Sequence, residues 1–208
     1  MIILGLSDLE EAVVYSPNIK ERFSQIDLVI SCGDLAAGYL EYVISMLDIP
    51  LYFVQGNHVY PVEMPDGEIR SAPDGGVNLH RNVVYDREND LILAGIEGSL
   101  RYNFGPYQYT QQRMWNMVYR LVPRLLLNKL RYGRYLDVFV THAAATGIHD
   151  EDDHAHQGVD AFRWVIDTFK PRLHLHGHVH VYNPLIPRET LYKSTRVINT
   201  YGYREITL

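Results

Sequence analysis

Six stretches of this chain share one form, a short apolar run that ends in polar side chains. They are "MIILGLSD", "IDLVISCGD", "IPLYFVQGNH", "DLILAGIEG", "LDVFVTH" and "PRLHLHGHVH". Short runs rich in Val, Ile, Leu or aromatics suit strands buried on both faces, as in sheets covered by helices. Helical patterns lie between them. Ser16-Pro17 reads as an N-cap and first-turn pair opening "SPNIKERFSQ". In residues 37–48, Leu40, Val43, Ile44 and Leu47 share one face. A longer helix is expected from Thr110 to about Arg131, stopped by Gly133 and kinked or divided by Pro123. "GVDAFRWVIDTFKP" sets Phe162, Val165, Ile166 and Phe169 on one stripe and ends before Pro171. The tail, 190–208, reads as short antiparallel strands with a turn near Gly202. Segments 61–80 and 143–158 read as long loops. Strand–helix alternation followed by terminal strands implies a layered α/β fold. A chain of 208 residues fills one sizeable core, so 1–208 is read as a single domain.

The charge balance narrows the partners. Nineteen Lys and Arg against 25 Asp and Glu leave a formal net charge of -6, which disfavours duplex nucleic acid, whose binders need a basic face. A small phosphate ester stays open, because a bound cation supplies positive charge locally. Cys32 is the only cysteine, so no internal disulfide forms and a reducing cytoplasm fits. The apolar opening meets Asp8 after seven residues, too short for a secretory leader, and no later run is expected to span a membrane.

In an open α/β sheet, ligands bind beyond the carboxyl ends of the strands. There this chain carries Asp8 and Glu10, Asp34, Asn57 and His58, His142, and His178 and His180. Each has an ordinary explanation on its own: a strand-end Asp caps a helix, "GNH" makes a turn, and "GHVH" is as good a hydrogen-bonded core strand as a metal ligand. Together they are a mixed oxygen and nitrogen set. Such a set suits two borderline divalent ions, Mn, Fe, Zn or Co, and not Ca or Mg alone. In extended chain, residues i and i+2 point the same way, so Asp8 is expected to act with Glu10 and His178 with His180.

The segments "SDLE", "CGDL", "GNHV", "VTHA" and "HGHVH", in that order over nearly the whole chain, resemble the calcineurin-like metallophosphoesterase superfamily. The resemblance implies a sandwich of two mixed β-sheets flanked by helices, with a two-metal site at the strand ends. It implies that Asp34 bridges two divalent ions, Mn or Fe, or else Zn or Co. Asp8 and His180 would hold the first ion, and Asn57, His142 and His178 the second. His58 would serve the phosphoryl or leaving group, and His174 and His176 would support or pack. Two positions depart from the pattern. Glu10 stands where the family has histidine, and Val59 stands where it has the carboxylate that orients the histidine of "GNH". Glu10 is expected to ligate the first metal through oxygen. His58 would need another partner, with Asp150 and Asp153 the nearest in kind.

Two divalent ions about 4 Å apart clamp a phosphoryl oxygen and bring the pKa of a shared water toward 7, so the implied activity is hydrolysis of a small phosphomonoester or phosphodiester. The alternative is a sensor or scaffold of the same fold that holds metal and phosphate without turnover, which the Glu10 and Val59 departures motivate. Two segments are placed to meet substrate. "GIHDEDDHAHQG" offers His149, His154 and His156, to substrate, to a metal or to solvent alone. "EGSLRYNFGPYQY" offers Arg101 for a phosphate and Tyr102 or Tyr107 for a base or sugar, or simply a packed surface loop.

Overall fold

A computed structural model describes residues 1–63, 67, 69–183 and 185–208, without the side chains of Val62 and Glu63. Its strands are β1 (Ile2–Ser7), β2 (Leu28–Ser31), β3 (Leu51–Phe53), β4 (Val62–Glu63), β5 (Ile69–Arg70), β6 (Val77–Asn78), β7 (Asn82–Asp86) and β8 (Leu91–Ile96), followed by β9 (Ser99–Leu100), β10 (Gln108–Tyr109), β11 (Val138–Thr141), β12 (Leu173–His176), β13 (Glu189–Tyr192), β14 (Thr195–Asn199) and β15 (Gly202–Thr207). The helices are α1 (Ile19–Arg22), α2 (Ala37–Leu47), α3 (Gln111–Tyr119), α4 (Val122–Tyr132) and α5 (Asp160–Phe169).

Two mixed sheets carry the fold. One runs β15-β1-β2-β3-β6 and the other β13-β14-β12-β11-β8-β7. In each, the inner strands are parallel and an outer pair is antiparallel, β15 on β1 in the first and β13 on β14 and β7 on β8 in the second. Alternation along the strands sorts the core into layers. Ile3, Ile30, Leu93, Val140 and Leu175 meet between the sheets. Leu4, Leu6 and Val29 face outward onto Phe23, Leu40 and Val43 of the first helical layer. Ile92, Phe139 and Val197 face outward onto Val118, Leu125 and Phe162 of the second. Both faces of both sheets are covered, which is why the strands read as continuous apolar runs.

Several expectations are sharpened. Pro123 divides the long helix instead of kinking it: α3 ends at Tyr119, and the ring sits in the first turn of α4, where a missing N–H costs nothing. Thr110 caps α3, accepting from the Arg113 N–H at 3.2 Å, and Gly133 closes α4 at φ 74°. The helix at Ser16 is a single turn that begins after Asn18, because Ser16 Oγ accepts from the Asn18 N–H at 3.3 Å and holds a turn there. The tail corrects the reading of 190–208. Its hairpin turns at Lys193, and the chain then leaves the sheet so that β15 pairs with β1 of the other one. The half-exposed edge strand β7 carried too weak an apolar pattern to be read. Part of the expected loop 61–80 lies outside the described residues, and the rest contributes the short strands β4, β5 and β6. Among the described residues, no helix is long and apolar enough to cross a membrane.

Candidate metal centre

The parallel strands β1, β2, β3, β11 and β12 all end at one edge of the sandwich, and the polar residues that follow them converge there. Backbone hydrogen bonds stitch the loops together: Asp8 N–H donates to the Gly33 carbonyl at 3.1 Å, and Gly177 N–H to the His142 carbonyl at 2.9 Å. Three of these residues leave their strands through left-handed backbone, Asp8 at φ 63°, Asp34 at φ 55° and His178 at φ 65°. Such conformations are uncommon for residues with a side chain, and they redirect the chain sharply. Gly33 and Gly56 allow the loops to touch. A Cβ on Gly33 would stand 2.9 Å from His142 Nδ1, and one on Gly56 would collide with the Asp34 carboxylate.

Asp8, Asp34 and His142 each present a ligand atom within 4.8 Å of the others. His142, fully buried, donates from Nδ1 to the Cys32 carbonyl at 2.8 Å, which leaves Nε2 as the free ring nitrogen. Nε2 lies 2.9 Å from Asn57 Oδ1 and 3.4 Å from Asp34 Oδ2. Asn57 is turned this way because its Nδ2 donates to the Tyr102 hydroxyl at 2.9 Å. A lone pair, an amide oxygen and a carboxylate oxygen thus face one another. Either a proton or a cation must sit among them. Without a cation the proton wins. Burial pulls the His142 pKa down, but the Asp34 carboxylate beside it more than reverses this and lifts it to about 9. Burial works against Asp34 ionisation too, yet His142 and His58 hold its carboxyl well below the usual carboxylate range. The residues fit a divalent ion: the imidazole tautomer is set by a backbone carbonyl, and the amide is oriented by a phenol.

The histidines of "LHLHGHVH" divide. Leu173 and Leu175 enter the core between the sheets, so His174 and His176 face the helical side, where His174 stacks on Phe139 at 5.3 Å. Burial holds the His174 pKa at about 3 and pushes His176 well below its ordinary value, so both are neutral packing groups. Past Gly177 the chain turns. The His178 N–H donates to both Asp8 carboxylate oxygens at 3.1 Å, and its ring lies 4.9 Å from that of His142. Its Nε2 donates to the Ala155 carbonyl at 2.8 Å, leaving Nδ1 as the free nitrogen, and burial with the nearby His142 charge lowers its pKa to about 3. His180 Nε2 stands 3.7 Å from Asp8 Oδ1, and this contact raises its pKa. The hydroxyl of Tyr182, two residues along the chain, sits 2.9 Å from its Nδ1.

Glu10 is placed apart from this cluster. Its carboxylate accepts from the Ala36 N–H at the start of α2, at 3.3 Å. The shared-face argument fails because Asp8 is not extended. His58 is near the cluster and more than half exposed, with its N–H on Asp34 Oδ1 at 2.8 Å and its Nδ1 2.6 Å from Asp34 Oδ2. Its partner is therefore Asp34 and neither Asp150, which accepts from the Gly147 N–H, nor Asp153, which takes His156. Of the segments expected to meet substrate, only some point here. Tyr102 joins through Asn57, and the His156 ring lies 5.1 Å from that of His178. Arg101 and His154 are exposed. His149 is turned inward between His176 Nε2 at 2.9 Å and Thr190 Oγ1 at 2.8 Å. A second group, Glu151, Asp153 and His156, also gathers its ligand atoms within 4.8 Å, as the run "EDDHAH" could have suggested.

The profile described as calcineurin-like phosphoesterase matches residues 3–182. No curated protein sequence matches significantly. Among solved structures, TT1561 of Thermus thermophilus is similar at a TM-score of 0.58 and 16% identity, over 97% of this chain and 89% of that one. A second is similar at 0.61 and 16%, over 97% and 90%. GAP50, the anchor in the inner membrane complex of Plasmodium, is more distant at 0.47 and 13%, over 96% and 70%. At these identities the first two structures speak for the fold, a mixed α/β architecture of two large sheets flanked by helices, and the profile speaks for the family. The chain belongs to the calcineurin-like phosphoesterase family.

Proposed function

We propose that residues 1–208 act as one metallophosphoesterase domain that hydrolyses a small phosphomonoester or phosphodiester, with two divalent ions, Mn or Fe, or else Zn or Co. The residues that would hold them are Asp8, Asp34, Asn57, His142, His178 and His180. The observation that carries the reading is the confrontation of His142 Nε2 with Asn57 Oδ1 at 2.9 Å and Asp34 Oδ2 at 3.4 Å, three donor atoms that a divalent ion would satisfy in place of the His142 proton. When bound, such ions polarise phosphoryl oxygens and acidify water.

The chain's own groups supply the rest. Asp34 lies between His142 and His58 and balances the charge of either ring. The Cys32 carbonyl keeps the His142 lone pair directed into the site. His58, which is exposed, swings from Asp34 toward a leaving oxygen and donates its proton there. Tyr102 holds Asn57 and so keeps the amide from turning its Nδ2 inward.

Purified protein assayed with nitrophenyl phosphate and bis-nitrophenyl phosphate in added Mn tests this, alongside elemental analysis. Turnover that disappears with Asp34→Asn supports it. A second reading, a sensor of the same fold, draws on two placements. Glu10 is engaged with Ala36, and Val59 offers His58 no carboxylate. Protein that takes up two metal equivalents yet leaves a broad panel of phosphoesters intact would favour the sensor.

A further inference from the structure

An acidic chain concentrates four arginines at one place away from the candidate metal ligands. Where α3 gives way to α4, beside the turn that enters β7, two adjoining cavities of about 360 and 550 Å³ share His80, Arg81 and Arg120 as walls. Arg113 lines the first and Arg124 the second, and none of Asp8, Asp34, Asn57, His142, His178 and His180 lines either. The formal net charge is -6, so a cluster of four like charges is not what the average surface of this chain would give.

These arginines are largely uncommitted. Among the described residues, Arg81, Arg113 and Arg120 have no ion-pair partner. Arg113 lies over the Tyr109 ring at 4.9 Å, and Arg124 donates to the neutral Asn82 Oδ1 at 2.7 Å. Glu97 is the one carboxylate in the lining. It is buried and accepts from the Tyr109 hydroxyl at 2.7 Å. His80 accepts at Nδ1 from the Glu97 N–H at 3.1 Å, so its proton is on Nε2, 3.4 Å from Glu97 Oε1. Burial, then the Arg81 and Arg113 charges, hold the His80 pKa at about 4. The floor is therefore neutral on the histidine side, and the rim is strongly cationic. Guanidinium groups left unpaired around a cavity are the arrangement that recognises a phosphate by paired N–H donors.

We propose that this cleft is a second anion site, which seats a phosphate dianion between Arg81 and Arg120, either as inorganic phosphate or as the phosphoryl group of a small molecule. It does not rest on the catalytic reading.

The test is calorimetric titration of the full-length protein with inorganic phosphate and, separately, with glycerol phosphate. It is run on the natural sequence, on Asp34→Asn, and on the double variant Arg81→Gln, Arg120→Gln. Both arginines are exposed, so the double variant is expected to fold, with an unchanged melting temperature as the check. Phosphate binding that survives Asp34→Asn within about twofold and falls at least tenfold in the arginine variant supports the site, a tenfold change being about 1.4 kcal/mol. Tighter binding of glycerol phosphate would assign the ligand as an ester, and tighter binding of inorganic phosphate as the free ion. Binding lost in Asp34→Asn, or unchanged in the arginine variant, would overturn it. Nitrophenyl phosphate turnover of the arginine variant is expected to match the natural protein. An inert natural protein would count against the catalytic proposal alone.

Discussion

One backbone torsion divides the four alternating histidines. Up to His176 the strand is extended and the rings face the helices. At His178, φ 65° turns the chain, and the next imidazoles serve the polar edge. At Asn57 the amide is oriented chiefly by a phenol, Tyr102, at 2.9 Å. Tyr102→Phe removes that acceptor and leaves the ring. It is expected to lower metal affinity or turnover roughly 10–100-fold, as loss of a group that orients a ligand does, with the melting temperature of metal-free protein within a few degrees. Titration with Mn would check it, and an unaltered affinity would mean that Asn57 needs no support. His58→Ala should lower turnover on a poor leaving group by roughly 10²–10⁴-fold and lower it less on a nitrophenyl ester, with metal content kept. Equal losses on both esters would show that the ring binds phosphate and donates nothing. Cys32 lies fully buried, and burial pushes its thiol up to about 12. It is expected to resist thiol reagents until the protein unfolds.

At the scale of elements, the site belongs to strand ends and to the tight loops that follow them. Gly56→Ala places a methyl against Asp34 and should abolish metal uptake while weakening the fold, since it displaces the Asp34 carboxylate and also stands 2.6 Å from the Asp34 backbone nitrogen, which cannot yield. Glu10 has become part of a helix start. Its carboxylate accepts from the N–H of Ala36, a residue with no side-chain oxygen with which to cap α2. Glu10→Ala is therefore expected to cost about 0.5–1 kcal/mol in denaturant unfolding and to leave metal content unchanged. Loss of one metal equivalent would return Glu10 to the ligand set.

For the whole molecule, the convergence of two carboxylates and several rings at one edge makes stability and metal binding one problem. A ligand at about 100 times its dissociation constant stabilises by about 2.7 kcal/mol, so chelation should lower the melting temperature by roughly 5–10 °C. No shift on chelation would mean the cluster is held by a proton alone. The pH dependence follows from His142, whose folded pKa is raised from 6.5 to about 9. A raised pKa stabilises fully below 6.5, and that contribution is lost as pH climbs through 9, so metal-free protein should become less stable across this window. Metal competes with that same proton. Mn affinity should therefore rise over the same window, and a flat profile would show that His142 is already neutral.

What the sequence determined by itself is the layering and the edge at which chemistry gathers. Apolar runs ending in Asp, Asn and His could only be buried strands with polar ends, because a covered sheet leaves no other place for such residues. What it could not determine is where each side chain goes once the strand ends. Period two points Glu10 with Asp8 and joins the tail into one antiparallel unit, but it holds only in extended chain. Asp8 at φ 63° breaks that period, and β15 crosses to the other sheet to pair with β1. The partner of His58, the inward turn of His149 and the arginine cleft all depend on segments more than 20 residues apart meeting in space. Local propensity carries no information about such meetings. They are settled by the packing of two sheets and two helical layers, and only the tertiary structure records it.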